Sequence, residues 1–325
     1  MIRYLGRRLV WAVPVLLAGT LLTFIGLRMT TQPVTAARRL RVDPVAIARY
    51  RQELGLDRSW LVQYWTYVTH FFRGDLGTSF TTQAPVWPEL RTALVNSIVL
   101  AVVAAIVYMA IGIALGVLSA VRQYSWFDHA TTGVSFVGLS LPPFVFGLLC
   151  ILAVGTFWQH LTGASEPLLP FIGGVYSPRT QGFDLGDRAR HLALPVIVLS
   201  VQQIAVYSRY MRTGMLETLH SGYLRTARAK GVSERRVIFH HAFRNALIPV
   251  VTFAAIDIGA LAGGLLVTEQ IFGYQGMGKY FLDNYHNADY PALLPWAMIV
   301  ILFVVVFNVI ADLAYAWLDP RIRVT

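Results

Sequence analysis

The chain has 325 residues, 56% of them hydrophobic and only 14% charged, with a mean hydropathy of +0.55. Soluble domains carry about 25% charged residues, so a water-soluble globular enzyme is excluded and a membrane-embedded chain is expected. The net charge of +10 does not imply a nucleic-acid partner, since much of it flanks apolar segments as topology signals do, and the single cysteine, Cys150, forms no internal disulfide.

A helix needs about 20 mostly apolar residues to cross a bilayer. Residues 9–27 meet that length between Arg8 and Arg28. Arg3, Arg7 and Arg8 before this core, and "VTA" at 34–36 after it, also fit a secretory leader. The core is longer than the ~7–15 residues of such leaders, so an uncleaved first helix is expected. Beyond it, 31–91 reads as a helical insertion. Asp43 can cap a helix with Pro44 at its first position and Gly55 at its end. Ser59 can cap a second helix reaching about Phe72. Trp60, Tyr64, Trp65, Tyr67, Phe71 and Phe72 crowd that helix. Such a face suits either the membrane interface or packing against the spans.

Residues 92–121 and 130–159 are uncharged throughout and read as spans two and three. Span four, 192–208, is shorter and carries Gln202 and Gln203. Span five, 245–268, is apolar except for Asp257, and span six is 292–311. Asp257 lies 12 residues past Asn245, about 18 Å along a helix, and so near mid-membrane. A carboxylate at that depth faces either a pathway for polar cargo or a structural hydrogen-bond partner. Gly259 and Gly263 form a G-x-x-x-G pair that favours close helix packing.

Lys and Arg set the orientation. With the N-terminus inside, 14 fall inside and 13 outside, but nine of the 13 belong to the long loop 28–91. Long loops translocate largely regardless of charge. Without that loop the count is 14 against 4, which places both termini in the cytoplasm.

Enzyme motifs are sparse. "GYQGMGKY" at 273–280 approaches a phosphate loop, yet Tyr280 stands where the magnesium-binding Ser or Thr is needed. There is no H-E-x-x-H, C-x-x-C or G-x-S-x-G. His240 and His241 are neighbours and point about 100° apart on a helix, which does not suit one metal. A membrane-embedded acyl- or phospho-transferase would need clustered His, Asp or Glu. A channel would need no cytoplasmic coupling element.

One stretch is out of character with its apolar flanks. Residues 223–249, "YLRTARAKGVSERRVIFHHAFRNALIP", hold six Arg or Lys and one acid, Glu234. Ser221 can cap a short helix over 223–230, Gly231 suits a left-handed end, and Ser233 can start a second helix with Glu234 in its first turn. Leu224, Ala227 and Lys230 give the first helix a thin apolar face with no Trp or Phe to anchor it in lipid. A rigid basic elbow of this kind fits a protein cleft better than a membrane surface.

The elbow sequence resembles the cytoplasmic "EAA" loop in permease subunits of ABC importers, in the form found in the oligopeptide/dipeptide permease family. "RYLGRRL", "LGLDRSWLVQYW", "RGDLGTSF", "GLSLPPFVFGLL" and "LDPRIR" agree with that family's first (B-type) permease. Arg225-Thr226-Ala227 replace Glu-Ala-Ala, Arg244 stands at the usual proline with Pro249 five residues later, and "TTQPVTA" replaces the "PGDP" often found after span one.

The resemblance implies an all-α polytopic fold of the type I ABC importer class. It has an N-terminal tail and helix over 1–30, an extracytoplasmic helical insertion over 31–91, a permease core over 92–317 with the coupling loop at 214–245, and a tail over 318–325. It implies a bacterial cytoplasmic-membrane location and an importer of oligopeptides or dipeptides; related permeases carry nickel, glutathione or oligosaccharides. The implied partners are a second permease, two ABC ATPases that bind ATP and Mg2+, an extracytoplasmic peptide-binding protein and membrane lipid. No cofactor, metal or catalytic residue is expected in this chain. Arg225, Arg228 and Lys230 are the expected docking charges and Gly231 the corner, with Tyr223, Thr226 and Ala227 in the docking face. Asp257, Gln202 and Gln203 are the expected pathway groups.

Overall fold

A computed structural model describes residues 2–31, 45, 58–171, 173–177 and 182–318. The helix expected from Asp43 to Gly55 lies outside the described residues. Among the described residues every regular element is a helix, joined by turns and loops with one isolated bridge, Thr78 to Pro85. Six helices are long and apolar enough to cross a membrane: Val10–Met29, Val86–Val121, Pro143–Thr162, Leu185–Leu219, Glu234–Ala254 and Tyr290–Ile310. The chain divides into two compact units, 1–97 with 275–309, and 98–274 with 310–325.

The first unit contains α1 (Ile2–Thr31), α2 (Trp60–Phe72), the start of α3 (Val86–Val121), most of the last long helix (Tyr290–Leu318) and the helix Met277–His286 before it. The second helix expected from Ser59 forms with those bounds, although the Ser59 side chain makes no cap hydrogen bond. Its aromatic residues divide by face. Tyr64, Tyr67 and Phe71 pack with Phe24, Tyr290 and Leu293, whereas Trp60, Trp65 and Phe72 stay exposed. The Tyr64 hydroxyl lies 2.7 Å from Thr20 Oγ1, and Arg28 donates to Gln63. The loop quoted above as "RGDLGTSF" is held by Asp289, which is 0% exposed. Its carboxylate accepts from Ser79 Oγ and from the backbone N–H groups of Phe80 (3.1 Å) and Thr81 (3.0 Å). Asp289→Ala strands two buried donors and one partly buried donor. It is expected to cost about 2 kcal/mol or more, read as a lower thermal midpoint and faster proteolysis between residues 73 and 85 of the purified chain.

The second unit holds the rest of α3, then α4 (Trp126–Ser140), α5 (Pro143–Leu152), a π turn (Ala153–Phe157), α6 (Trp158–Thr162) and α7 (Leu185–Leu219). The stretch 130–159 was expected as one span; it is two helices broken at Leu141-Pro142. Pro142 and Pro143 cause the break. A proline disfavours helical geometry in the residue before it, and Pro143 lacks the N–H an uninterrupted helix would need. Leu141 accordingly adopts extended angles (φ −84°, ψ 120°), and α5 restarts with Pro143 at its first position. The π turn places Gly155 against Phe171, where a Cβ would come within 2.7 Å of the ring.

Leu100, Ala104 and Tyr108 of α3 pack on Tyr207, Met211 and Met215 of α7 to form the core of this unit. The close helix approach occurs at Gly112 and Gly116, a second G-x-x-x-G on α3. A Cβ on Gly112 would lie 2.7 Å from Tyr207 Cβ, and one on Gly116 2.6 Å from both Ser208 O and Met211 Cβ. Gly259 and Gly263 are helical, but their packing lies outside the described residues. Gly116→Val is expected to push α3 off α7 at a cost of about 1–3 kcal/mol, checked by the thermal midpoint. Gly133→Ala, where a Cβ meets nothing within 4 Å, should not lower it.

Beside the Gly116 contact, Asp128 of α4 is buried against Arg212 of α7. The guanidinium donates twice, Nε to Oδ1 at 2.7 Å and Nη2 to Oδ2 at 2.8 Å. Ser119 Oγ and the Tyr124 N–H (3.0 Å) also donate to the carboxylate. The Arg212 hydrogen bonds hold Asp128 well below the usual carboxylate range.

Candidate functional site

The elbow follows α7. His220 ends that helix, Ser221 takes extended angles (φ −69°, ψ 147°), and α8 runs Gly222–Ala229. Ser221 Oγ turns back to the Thr218 carbonyl (2.6 Å) and does not cap α8. Gly231 then adopts φ +78°. Its N–H reaches Arg228 O at 2.9 Å and the Val232 N–H reaches Ala227 O at 3.2 Å, so a left-handed residue closes the helix end with its carbonyls satisfied. Beyond the corner come α9 (Glu234–Arg236), a π segment (Val237–Ala242) and α10 (Phe243–Gly264).

The apolar underside of the elbow is anchored in the second unit. Leu224 and Val237 are fully buried in its core, with Ala227, Val232 and Ile238 packed around them. Ala227, expected in the docking face, therefore spends much of its surface on its own chain. Arg228, expected as a docking charge, spans the corner to Glu234 through Nε to Oε2 at 3.1 Å and Nη2 to Oε1 at 2.9 Å. Both partners are substantially exposed, so this pair contributes little stability, at most about 1 kcal/mol. It bridges the two short helices across the corner. Tyr223 Oη accepts from Asn245 Nδ2 at 2.6 Å and donates to the His241 carbonyl at 3.4 Å, joining α8 to the start of α10. Thr226 is exposed and its hydroxyl donates to Gly222 O at 3.2 Å. Arg225 and Lys230 are exposed and enter no ion pair among the described residues.

The three expected pathway residues do not form one group. Gln203 and Asp257 meet: the Gln203 amide donates to Oδ1 of Asp257. Two residues with no distinguishing mark in the sequence complete the cluster. Tyr108 Oη donates to Oδ2 at 2.7 Å and Tyr207 Oη to the same oxygen at 3.0 Å. Asp257 is 8% exposed. Its carboxylate thus ties α3, α7 and α10 together. Gln202 points elsewhere and donates to Leu141 O at 2.7 Å, satisfying the carbonyl freed by the break between α4 and α5. The only sequence signal for Tyr108 was a hydroxyl in an otherwise apolar run.

The "GYQGMGKY" turn follows the helix Leu266–Phe272, with Gly273 left-handed at φ +60°, and Ser97 Oγ accepts from the Met277 N–H at 2.7 Å. A phosphate loop follows a strand, so this turn closes one helix and opens the next.

Two family models match the chain. Residues 112–324 match "Binding-protein-dependent transport system inner membrane component" and residues 1–101 match the N-terminal part of the same membrane component. The chain is 38% identical over 327 residues, 99% of its length and 100% of the relative's, to the oligopeptide transport system permease protein AppB of Bacillus subtilis (strain 168). It is 37% identical to the di/tripeptide transport system permease protein DppB of Pseudomonas aeruginosa (strain UCBPP-PA14), and 36% identical to the dipeptide transport system permease protein DppB of Escherichia coli (strain K12), covering 99% of this chain and of each relative. With six membrane-length helices and both models matched along nearly its whole length, the chain belongs to the family of inner-membrane permease components of binding-protein-dependent transport systems.

Proposed function

We propose that this permease is one of two membrane subunits of an ATP-driven importer for oligopeptides or dipeptides in the bacterial cytoplasmic membrane. Both termini and the elbow face the cytoplasm. Two ATPase subunits bind ATP and Mg2+ and supply the energy, and an extracytoplasmic peptide-binding protein delivers the cargo. The peptide cargo rests on the full-length relatives named for di-, tri- and oligopeptide transport.

The observation that carries the coupling role is the braced corner. Glu234 is neutralised by Arg228 within the elbow, which leaves Arg225, Lys230, Arg235 and Arg236 as exposed cations with no ion pair among the described residues. That charge pattern fits an acidic groove on a partner, and the stiffness lets a moving groove displace the spans instead of bending the elbow. Asp257, Gln203 and their two tyrosines serve the pathway from behind, by holding three spans in register as a unit.

The test uses proteoliposomes containing the chain, its sister permease, the two ATPases and a binding protein loaded with labelled dipeptide. Uptake should require ATP on the elbow side. Arg225→Glu with Lys230→Glu should lower it at least tenfold, since two charge-assisted contacts are reversed. Uphill uptake without the ATPases would refute the proposal, as would labelling of the elbow from the opposite side.

A further inference from the structure

The first unit carries a cavity of about 640 Å³ that the transport reading does not use. It is lined by Phe71, Trp87, Leu94, Ile299, Phe303 and Phe307, among other apolar groups. That volume lies within the ~300–1,000 Å³ of small-ligand sites. Ile299, Phe303 and Phe307 belong to the membrane-length helix Tyr290–Ile310, so the groove runs along hydrocarbon depth.

Two arginines adjoin its lining residues in the chain. Trp87, Arg91 and Leu94 follow one another at i, i+4 and i+7 on α3 and so share one helix face. Arg91 is exposed and enters no ion pair among the described residues. Arg73, next to the lining residue Gly74, is likewise exposed and unpaired. Neither arginine pairs with a nearby acid among the described residues. The Asp75 carboxylate is taken by His70 Nδ1 (3.1 Å) and the Gly77 N–H (3.2 Å), and Glu89, two residues before Arg91, points off that face.

We propose that this groove binds one acyl chain of an anionic glycerophospholipid from the surrounding bilayer, with the lipid phosphate held by Arg91 and Arg73. An apolar slot with two exposed arginines adjoining its lining residues suits the two ends of that molecule: carbon for the tail, and planar donors suited to two phosphate oxygens. The competing occupant, a helix of another polypeptide, would have to press apolar side chains against an unneutralised Arg91 at the membrane boundary, which is unfavourable. A phospholipid brings its own counter-charge. The proposal needs only that the chain spans a membrane and is independent of cargo.

Native mass spectrometry of the purified full chain tests this directly, titrating phosphatidylglycerol and phosphatidylcholine of identical acyl chains. Phosphatidylglycerol should bind about tenfold more tightly. Arg73→Gln with Arg91→Gln should abolish that preference while leaving phosphatidylcholine binding unchanged. Leu94→Trp or Phe303→Trp, which fill the slot from different helices, should weaken both lipids. Equal affinity for the two headgroups would overturn the proposal, and so would an unchanged preference in the arginine variant. Efficient cross-linking of Phe303→Cys to a helix of a second polypeptide in native membranes would overturn it in favour of a protein partner.

Discussion

Gly231→Asp is expected to abolish ATP-driven uptake while leaving expression and membrane insertion intact. The corner residue has φ +78°, a conformation that costs an L-residue about 1–2 kcal/mol and glycine essentially nothing. A Cβ there meets no atom within 4 Å, so the substitution does not disturb the buried core beneath the elbow. Its effect is local and electrostatic. A carboxylate at the corner competes with Glu234 for Arg228, which otherwise bridges the two helices, and it places negative charge beside Arg225 and Lys230. Angle and charge are altered together. Gly231→Asn separates them, because asparagine tolerates the left-handed region and adds no charge. It should retain most of the uptake. Full transport by the aspartate variant would sink the coupling role of the elbow. Failure of the same variant to insert would show that the corner is needed for folding instead.

Asp257→Ala is expected to lower the thermal midpoint strongly and to eliminate uptake. Removing the carboxylate leaves the hydroxyls of Tyr108 and Tyr207 and the amide of Gln203 without their acceptor. Each stranded buried donor costs about 1–3 kcal/mol, and the three together reach the upper end of single-substitution effects, about 4–5 kcal/mol. Asp257→Asn keeps one acceptor oxygen but turns an amide donor toward groups that already donate, so an intermediate loss is expected. Removing the donors singly, as Tyr108→Phe and Tyr207→Phe, should cost less, because the carboxylate keeps other partners. The readout that separates a structural tie from a cargo contact is selectivity. A tie predicts that stability and uptake fall together for every peptide tested. An asparagine variant with a normal thermal midpoint and altered peptide preference would place Asp257 in the pathway itself.

The amino-acid sequence alone determined what depends on local pattern. Six membrane spans were legible because hydropathy accumulates along a window whatever the neighbours are. The elbow was legible because Gly231 is required by its own backbone angle. The helix from Trp60 to Phe72 was legible from Ser59 before it and the aromatic residues along it. The tertiary structure decided which polar groups meet. Asp257 finds Tyr108 across 149 residues, and Asp128 finds Arg212 across 84; no spacing rule encodes those pairings, since packing alone selects the face each side chain presents. A close approach falls on Gly112 and Gly116 because α7 presents its backbone there, which the G-x-x-x-G spacing alone does not decide. The break at Leu141-Pro142 lay open in two adjacent prolines, but the uncharged run around it concealed the interruption. The reason is common to all these cases. Transfer from water to lipid depends on composition, while hydrogen bonding and close packing inside the membrane depend on which surfaces the fold brings together.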